Sequence, residues 1–439
     1  MSAAAPLSES EPQSERRRRT PQRSARKRAK SDTIPGTGGR RASKGARWQG
    51  ARAAGARGNA PAVLGNNTNR VSPAAAENAG SRAQNARQTA YKLRDDLRPY
   101  ARARIAKCGY CRVRSDVEIV RANGRATIRG VMRCGSVWEC PACSLAVKVR
   151  RAQEVVPAVN RHGTDRVYLL TLTVRHATGD DLRLTRQGVS GAWQRVQRGA
   201  PWGRFKDRMG IVGSIRALEV THGSNGWHPH LHILLFARKL DESALAAAQS
   251  FLSDRWKSAV SRELGASNAP LDEVGCRLDK CHRADYIAKI GLEMTNPGTK
   301  SGRNGGRCPL QIARDFVESG DDRDRATWAA YCRGMKGARM LTWSKGLREQ
   351  AGLVEDESDE AIATADEASE AEVETLLTIP GRTWDQVRKV NGAACRLLDA
   401  ADKGGAILAR ECLAALVTEW AHATRIREAR DWPAERRRT

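Results

Sequence analysis

Three histidines stand at alternate positions in Gly226-Trp-His-Pro-His-Leu-His-Ile-Leu-Leu-Phe236. Side chains alternate along a strand, so His228, His230 and His232 share one face, and Leu231, Ile233 and Leu235 share the other. Two imidazoles at adjacent same-face positions make half of a site for a divalent metal. The opposite face is apolar enough to bury against helices. Three of the chain's eight histidines fall here, which is more than a solvent-facing strand needs.

A second constellation is built from sulfur: Cys108-Gly-Tyr-Cys111, Cys134 and Cys140-Pro-Ala-Cys143. Two Cys-x-x-Cys knuckles in a reducing compartment point to a structural zinc ion. Five cysteines are one more than a tetrahedral site takes, and the gap between the knuckles is longer than in compact fingers. The competing reading is a set of free buried thiols. Cys276, Cys281, Cys308, Cys332, Cys395 and Cys412 show no metal spacing.

These groups sit in a strongly basic chain. Over 439 residues the formal charge is +27, which calls for a polyanionic partner, of which nucleic acid is the commonest. Arginines close to the cysteines, namely Arg112, Arg114, Arg150 and Arg151, are the candidate DNA contacts. No apolar run reaches the roughly 18 residues of a membrane span, and the first residues lack a signal peptide's apolar stretch. A cytoplasmic protein with reduced or metal-bound cysteines is expected.

The elements that must position this chemistry can be read in order. Residues 1–95 hold almost no large apolar side chains and carry Arg16-Arg-Arg-Arg19, so they are expected to be a disordered basic region. Residues 100–160 form the cysteine-rich module and then a helix, Leu145 to Val159. Val167-Tyr-Leu-Leu-Thr-Leu-Thr-Val174 reads as a central strand, and a helix with Val189, Trp193 and Val196 follows. Ile211 to Thr221 reads as a second strand that turns through Gly223-Ser-Asn-Gly226 into the histidine strand. Asp241 caps a helix running to Leu264, and another helix from Ala284 to Leu292 carries Tyr286 and Lys289. Residues 351–375 are acidic and read as a solvated linker, or as an autoinhibitory DNA mimic. Residues 376–439 read as a helical segment.

Three motifs in this order carry a resemblance: Leu169-Leu-Thr-Leu-Thr173, His228-Pro-His-Leu-His-Ile-Leu-Leu235 and Tyr286-Ile-Ala-Lys289. Together they resemble the plasmid rolling-circle replication initiators of the HUH endonuclease superfamily, named for two histidines separated by one bulky residue. The likeness covers about residues 105–350, including Trp343-Ser-Lys-Gly-Leu-Arg348. It implies an α+β fold with a ferredoxin-like, or RNA-recognition-motif-like, central antiparallel sheet in residues 161–350. The histidine strand would lie mid-sheet, with helices on one face and the site open on the other. Cys134-Gly-Ser-Val-Trp-Glu-Cys-Pro-Ala-Cys143 is similar to a segment upstream of the first motif in actinobacterial-type initiators, where Cys134 can stand in for Cys111.

The resemblance gives Tyr286 the role of nucleophile, forming a 5′-phosphotyrosyl link and freeing a 3′-OH primer. Lys289, one turn away, would stabilise the phosphate or the phenolate. His230 and His232 would hold Mg²⁺ or Mn²⁺, with either Glu219 or His228 as third ligand. Some initiators of this kind place a glutamate four residues before the tyrosine. Here that position is His282, either a general base for the tyrosine or a terminating water, or a surface histidine. Origin DNA, single-stranded or extruded as a hairpin, is the expected partner. Host helicase and DNA polymerase would be needed, because no Gly-x-x-x-x-Gly-Lys-Ser/Thr loop is present; a homodimer is compatible with this reading. The rivals are an HUH transposase or relaxase, and a non-catalytic zinc-containing DNA-binding regulator.

Overall fold

A computed structural model describes residues 73–122, 125–271, 274–281, 306–353, 357–364 and 373–435. These residues fall within the unit Asn59–Thr439. The eight strands among them are β1 (Val117–Ala122), β2 (Arg125–Arg129), β3 (Val167–Leu172), β4 (Gly213–Gly223), β5 (Gly226–Phe236), β6 (Cys276–Lys280), β7 (Leu341–Trp343) and β8 (Glu374–Ile379). They make two antiparallel sheets, ordered β6-β3-β5-β4-β7 and β2-β1-β8. With the helices that cover them, the architecture is α+β.

The larger sheet is organised by β5. It pairs with β3 on one side and with β4 along its whole length on the other. The β4–β5 hairpin closes on two residues, Ser224 and Asn225, between the paired Gly223 and Gly226. Gly226 has φ +85°, and a Cβ there would lie 3.0 Å from the Ala177 carbonyl oxygen. Only glycine therefore suits the position. The loop after β3 pins this turn, Thr178 donating to the Ser224 carbonyl at 3.1 Å.

One face of β5 presents Trp227, Leu231, Ile233 and Leu235, all buried with Leu170, Leu172, Leu218 and Val220 in the main core. The helices Leu182–Val196, Glu242–Glu263, Pro309–Ser319 and Asp322–Gly334 supply the other side of that core. Burying a leucine- or isoleucine-sized side chain contributes about 1.5–3 kcal/mol, so these side chains hold the register of β5. Asp241 accepts from the Ala244 amide at 2.7 Å and caps the helix Glu242–Glu263 as expected.

The opposite face is divided, where the sequence suggested a wholly open one. Leu234 and Phe236 at one end are covered by Val155, Ala158 and Val159 of the helix Pro141–His162, with Leu347 beside them. His228, His230 and His232 occupy the other end. The covering helix begins at the cysteine module, with Cys140 at its N-cap and Pro141 in its first turn, so one element ties that module to the sheet.

Three expectations change. Disorder to residue 95 does not hold for 73–95, which lie in the helix Pro73–Leu97. Its Ala90, Leu93 and Leu97 are buried, and Arg87 pairs with Asp399 and, at 2.7 Å, with Asp402. A few apolar residues at helical spacing are enough for docking, although the average composition of the segment is polar. The acidic stretch is not only solvated linker: Asp359–Thr364 is helical and buries Ile362 and Ala363. The C-terminal segment is not purely helical, because β8 pairs with β1 and shares a sheet with the cysteine module. Behind that sheet Trp384, Val387, Leu397 and Leu398 are buried. The helical stretch Ala393–Glu435 is interrupted at Gly404 and Gly405. Residues 1–72 lie outside the described residues, as does the expected helix from Ala284 to Leu292. Among the described residues, no helix is long and apolar enough to cross a membrane.

Candidate functional site

Register places the histidine cluster. On the β4–β5 ladder Glu219 lies opposite His230, and Ala217 opposite His232. Directly opposed residues share a face, so Glu219 projects beside both rings. Its Oε2 is 2.9 Å from Nε2 of His230 and 2.9 Å from Nε2 of His232. The three ligand atoms lie within 4.8 Å of one another. Burial acts to raise the Glu219 carboxyl, but the charge and hydrogen bonds of His230, together with those of His232, outweigh it. The carboxyl is held well below its ordinary range, as a carboxylate. Two imidazole nitrogens and one carboxylate oxygen converging on a point form a donor set suited to Mn²⁺ and compatible with Mg²⁺.

His228 takes a different place. Its ring packs against His176 at a centroid distance of 4.6 Å and against His230 at 5.2 Å. Its pKa is lowered to about 4, by burial first and then by the charges of His230 and His176. The structure thus brings Glu219 to the histidine pair and leaves His228 outside the converging set.

Two further residues join this face. Thr171 lies opposite His232 on the β3–β5 ladder, and its Oγ1 is 3.2 Å from His232 Nδ1. Arg277 of β6 lies opposite Thr171 and pairs with Asp279 at 2.9 Å. The row Arg277, Thr171, His232, Ala217 and Leu341 therefore crosses all five strands on one face. Neither role was read from sequence. The alternation that puts Thr171 on a single face of β3 was the available signal, but its partner strand was unknown.

Tyr286, Lys289 and His282 lie outside the described residues. The chain reaches them from Cys281, whose amide bonds the Val167 carbonyl at 3.0 Å at the end of β6.

The cysteines resolve into four and one. Cys108, Cys134, Cys140 and Cys143 are all buried and form one cluster. Sulfur–sulfur distances are 3.6 Å for Cys108–Cys143, 3.7 Å for Cys134–Cys143 and 3.7 Å for Cys140–Cys108. A tetrahedron with metal–sulfur bonds of about 2.3 Å has edges of roughly 3.8 Å, so the spacing fits a zinc ion and is far longer than a disulfide. Hydrogen bonds among the four sulfurs push the Cys108 thiol down and the Cys134 and Cys140 thiols up, so a thiolate on Cys108 is held by its neighbours. Cys111 stands apart, with Arg388 Nη1 3.7 Å from its sulfur.

The four arginines also separate. Arg150 and Arg114 are exposed. Arg112 is partly exposed and paired with Asp385 at 2.7 Å. Arg151 is a correction: its side chain is buried and answered by Glu154 and Asp359, each at 2.9 Å, and by the Glu357 carbonyl at 2.5 Å. It stitches the helix Pro141–His162 to the acidic segment and has no donor left for a phosphate.

Residues 126–388 match the model of a family described as replication proteins. The chain is similar to a "Protein rep" of Streptomyces lividans, 30% identical over 304 residues, covering 53% of this chain and 66% of that one. It is also similar to a "Neomycin resistance protein" of Streptomyces cyanogenus, 36% identical over 143 residues, or 26% of this chain and 32% of that one. A "Protein rep" of Streptococcus pneumoniae is 26% identical over 159 residues, 35% of this chain and 42% of the relative. In each case the match spans under two thirds of the relative's own length. No solved structure matches.

Proposed function

The chain belongs to the replication protein family, and from that premise we propose that it initiates plasmid replication as an HUH-type endonuclease. It would nick one strand of origin DNA with Tyr286 as nucleophile. The observation that carries this reading is the convergence of Glu219, His230 and His232 on the open end of the sheet. A DNA-binding regulator has no use for a carboxylate between two imidazoles on a central strand.

The donor set fits a divalent cation, which when bound would polarise a non-bridging oxygen of the scissile phosphate. For both Nε2 atoms to face it, His232 must carry its proton on Nδ1 and donate to Thr171 Oγ1, which fixes the ring. Tyr286 Oη attacks phosphorus in line and loses its proton, with His282, four residues earlier, as the candidate base. The bond from phosphorus to the 3′ oxygen breaks, and that oxygen leaves with a proton as a 3′-OH primer. Tyr286 keeps the 5′ phosphate, and the stored ester allows rejoining at termination. Lys289, three residues on, would stabilise charge on the phosphate. The Cys108, Cys134, Cys140 and Cys143 cluster would hold a structural zinc ion. Exposed Arg114 and Arg150 would contact DNA phosphates. Host helicase and polymerase would extend the primer.

The test is incubation of the full chain with a labelled single-stranded oligonucleotide from its plasmid's origin, with Mn²⁺ or with chelator. Cleavage should require Mn²⁺ and vanish in Glu219→Gln and in His230→Ala with His232→Ala, while DNA binding persists. Equal cleavage in chelator would remove the metal from the account.

A further inference from the structure

A cavity of about 590 Å³ lies between the loop Cys134–Glu139 and strand β7. Trp138, Trp343, Arg104, Lys336, Arg339 and Thr342 are among its walls. Arg216 reaches Thr342 from β4, with Nη2 3.1 Å from the threonine hydroxyl. Among the described residues, Arg104, Arg216, Lys336 and Arg339 form no ion pair. Two wall carboxylates are already answered, Glu139 by Arg102 and Asp359 by Arg151, which leaves Glu357 and Glu360. Cations therefore outnumber free carboxylates around this space. Arg216 and Arg339 lie close enough that their repulsion, after burial, lowers the Arg216 pKa. Cations crowded without a counter-ion are stabilised by an anion brought between them.

The aromatic contribution is independent of the charges. Trp138 is half-buried and anchored by its indole N–H, which donates to the Ala338 carbonyl at 2.9 Å. Trp343 is a second indole on the wall, with the Arg348 guanidinium over its ring at 5.2 Å. Indole faces beside unpaired cations are what a nucleotide of a single strand uses, stacking its base and placing its phosphate. Position on the sheet adds a third observation. Leu341, also on the wall, lies in register with Ala217 and so with His232, on the same face. Two strand spacings, roughly 10 Å, separate the strands that carry Leu341 and His232.

We infer that this cavity is a nucleotide subsite for single-stranded DNA beside the nicking site, taking a phosphate on Lys336 and Arg339 and a base against Trp138 or Trp343. The assignment rests on the proposed single-strand nicking, because it needs a strand whose bases are unstacked. Duplex DNA cannot present a base to a cavity of this size without flipping it out.

The experiment uses the full chain and an oligothymidylate carrying 5-iodouracil. Photocrosslinking followed by peptide mapping should place adducts on the peptides containing Trp138 or Trp343. The double substitution Lys336→Ala with Arg339→Ala, at exposed positions that leave the core intact, should reduce the magnitude of the log-affinity against log-salt slope by about 0.7 for each cation removed. Affinity near physiological salt should fall about tenfold. An unchanged slope, or crosslinks confined to other peptides, overturns the assignment. A Mn²⁺-dependent covalent adduct on origin DNA together with a silent double variant overturns the cavity alone. Crosslinks at Trp138 without any such adduct overturn the nicking reading and leave the cavity standing.

Discussion

Thr171→Val isolates one contact at the histidine cluster. The substitution keeps the branched shape and removes the hydroxyl 3.2 Å from His232 Nδ1. Nε2 of His232 is the atom beside Glu219, so a metal-competent ring carries its proton on Nδ1, where Thr171 accepts it. Without that acceptor the ring can rotate, and the tautomer with the proton on Nε2, which cannot ligate, gains population. Losing such an outer-shell partner costs about 10–100-fold in metal affinity, or roughly 1.4–2.7 kcal/mol. Folding should change little, because a partly buried hydrogen bond is worth about 1 kcal/mol net and valine fills the space. The assay is calorimetric or electron-paramagnetic titration of Mn²⁺ into wild type and variant, with circular dichroism as the check on folding. Mn²⁺ affinity should fall by that factor, while Thr171→Ser, which keeps the hydroxyl, retains most of it. A valine variant that binds Mn²⁺ as tightly as wild type would refute the positioning argument.

Further outcomes follow from the geometry. Cys111→Ser should retain one zinc per chain by elemental analysis, whereas Cys143→Ser should lose it, and chelation should lower the melting temperature of the first variant but not the second. Arg151→Ala should destabilise the fold by about 1–3 kcal/mol in denaturant titrations, because Asp359 loses its cation and the buried Glu154 keeps only Arg348. Arg150→Ala, one position earlier but exposed, should leave stability unchanged and lower the salt dependence of DNA binding. Leu231→Ala, fully buried on the apolar face of β5, should cost about 2–5 kcal/mol in the same titrations; a smaller loss would mean that this face is loosely packed.

The parts of the site that were legible in sequence are those set by short-range periodicity. Alternation alone put His230 and His232 on one face, and the tight turn at Gly223–Gly226 made β4 the neighbour, so Glu219 was within reach of the reading. The choice between Glu219 and His228 needed the register, because a two-residue loop fixes which β4 side chain lies opposite His230. Thr171 and Arg277 depend on pairing with β3 and β6, which no local pattern specifies. The cysteine cluster was legible as a group, but spacing alone did not give its membership: Cys108-Gly-Tyr-Cys111 has knuckle spacing, yet Cys134 takes the place of Cys111, which only the resemblance suggested. Arg150 and Arg151 differ by one step of a helix, and only the packed structure shows which one turns inward. Glu154, three residues on, was the available clue. Averaging over residues 1–95 hid the stripe of Ala90, Leu93 and Leu97, and the short strand β8 was masked by lying across an expected segment boundary.

The central claim is a tyrosine nucleophile served by the Glu219–His230–His232 centre. The most direct measurement is mass spectrometry of peptides from the full chain after reaction with origin single strand and Mn²⁺. The account predicts a 5′-phosphonucleotide on the peptide containing Tyr286, absent in Tyr286→Phe and in Glu219→Gln. An adduct that survives in Tyr286→Phe, or cleavage that leaves no adduct on any peptide, would contradict it.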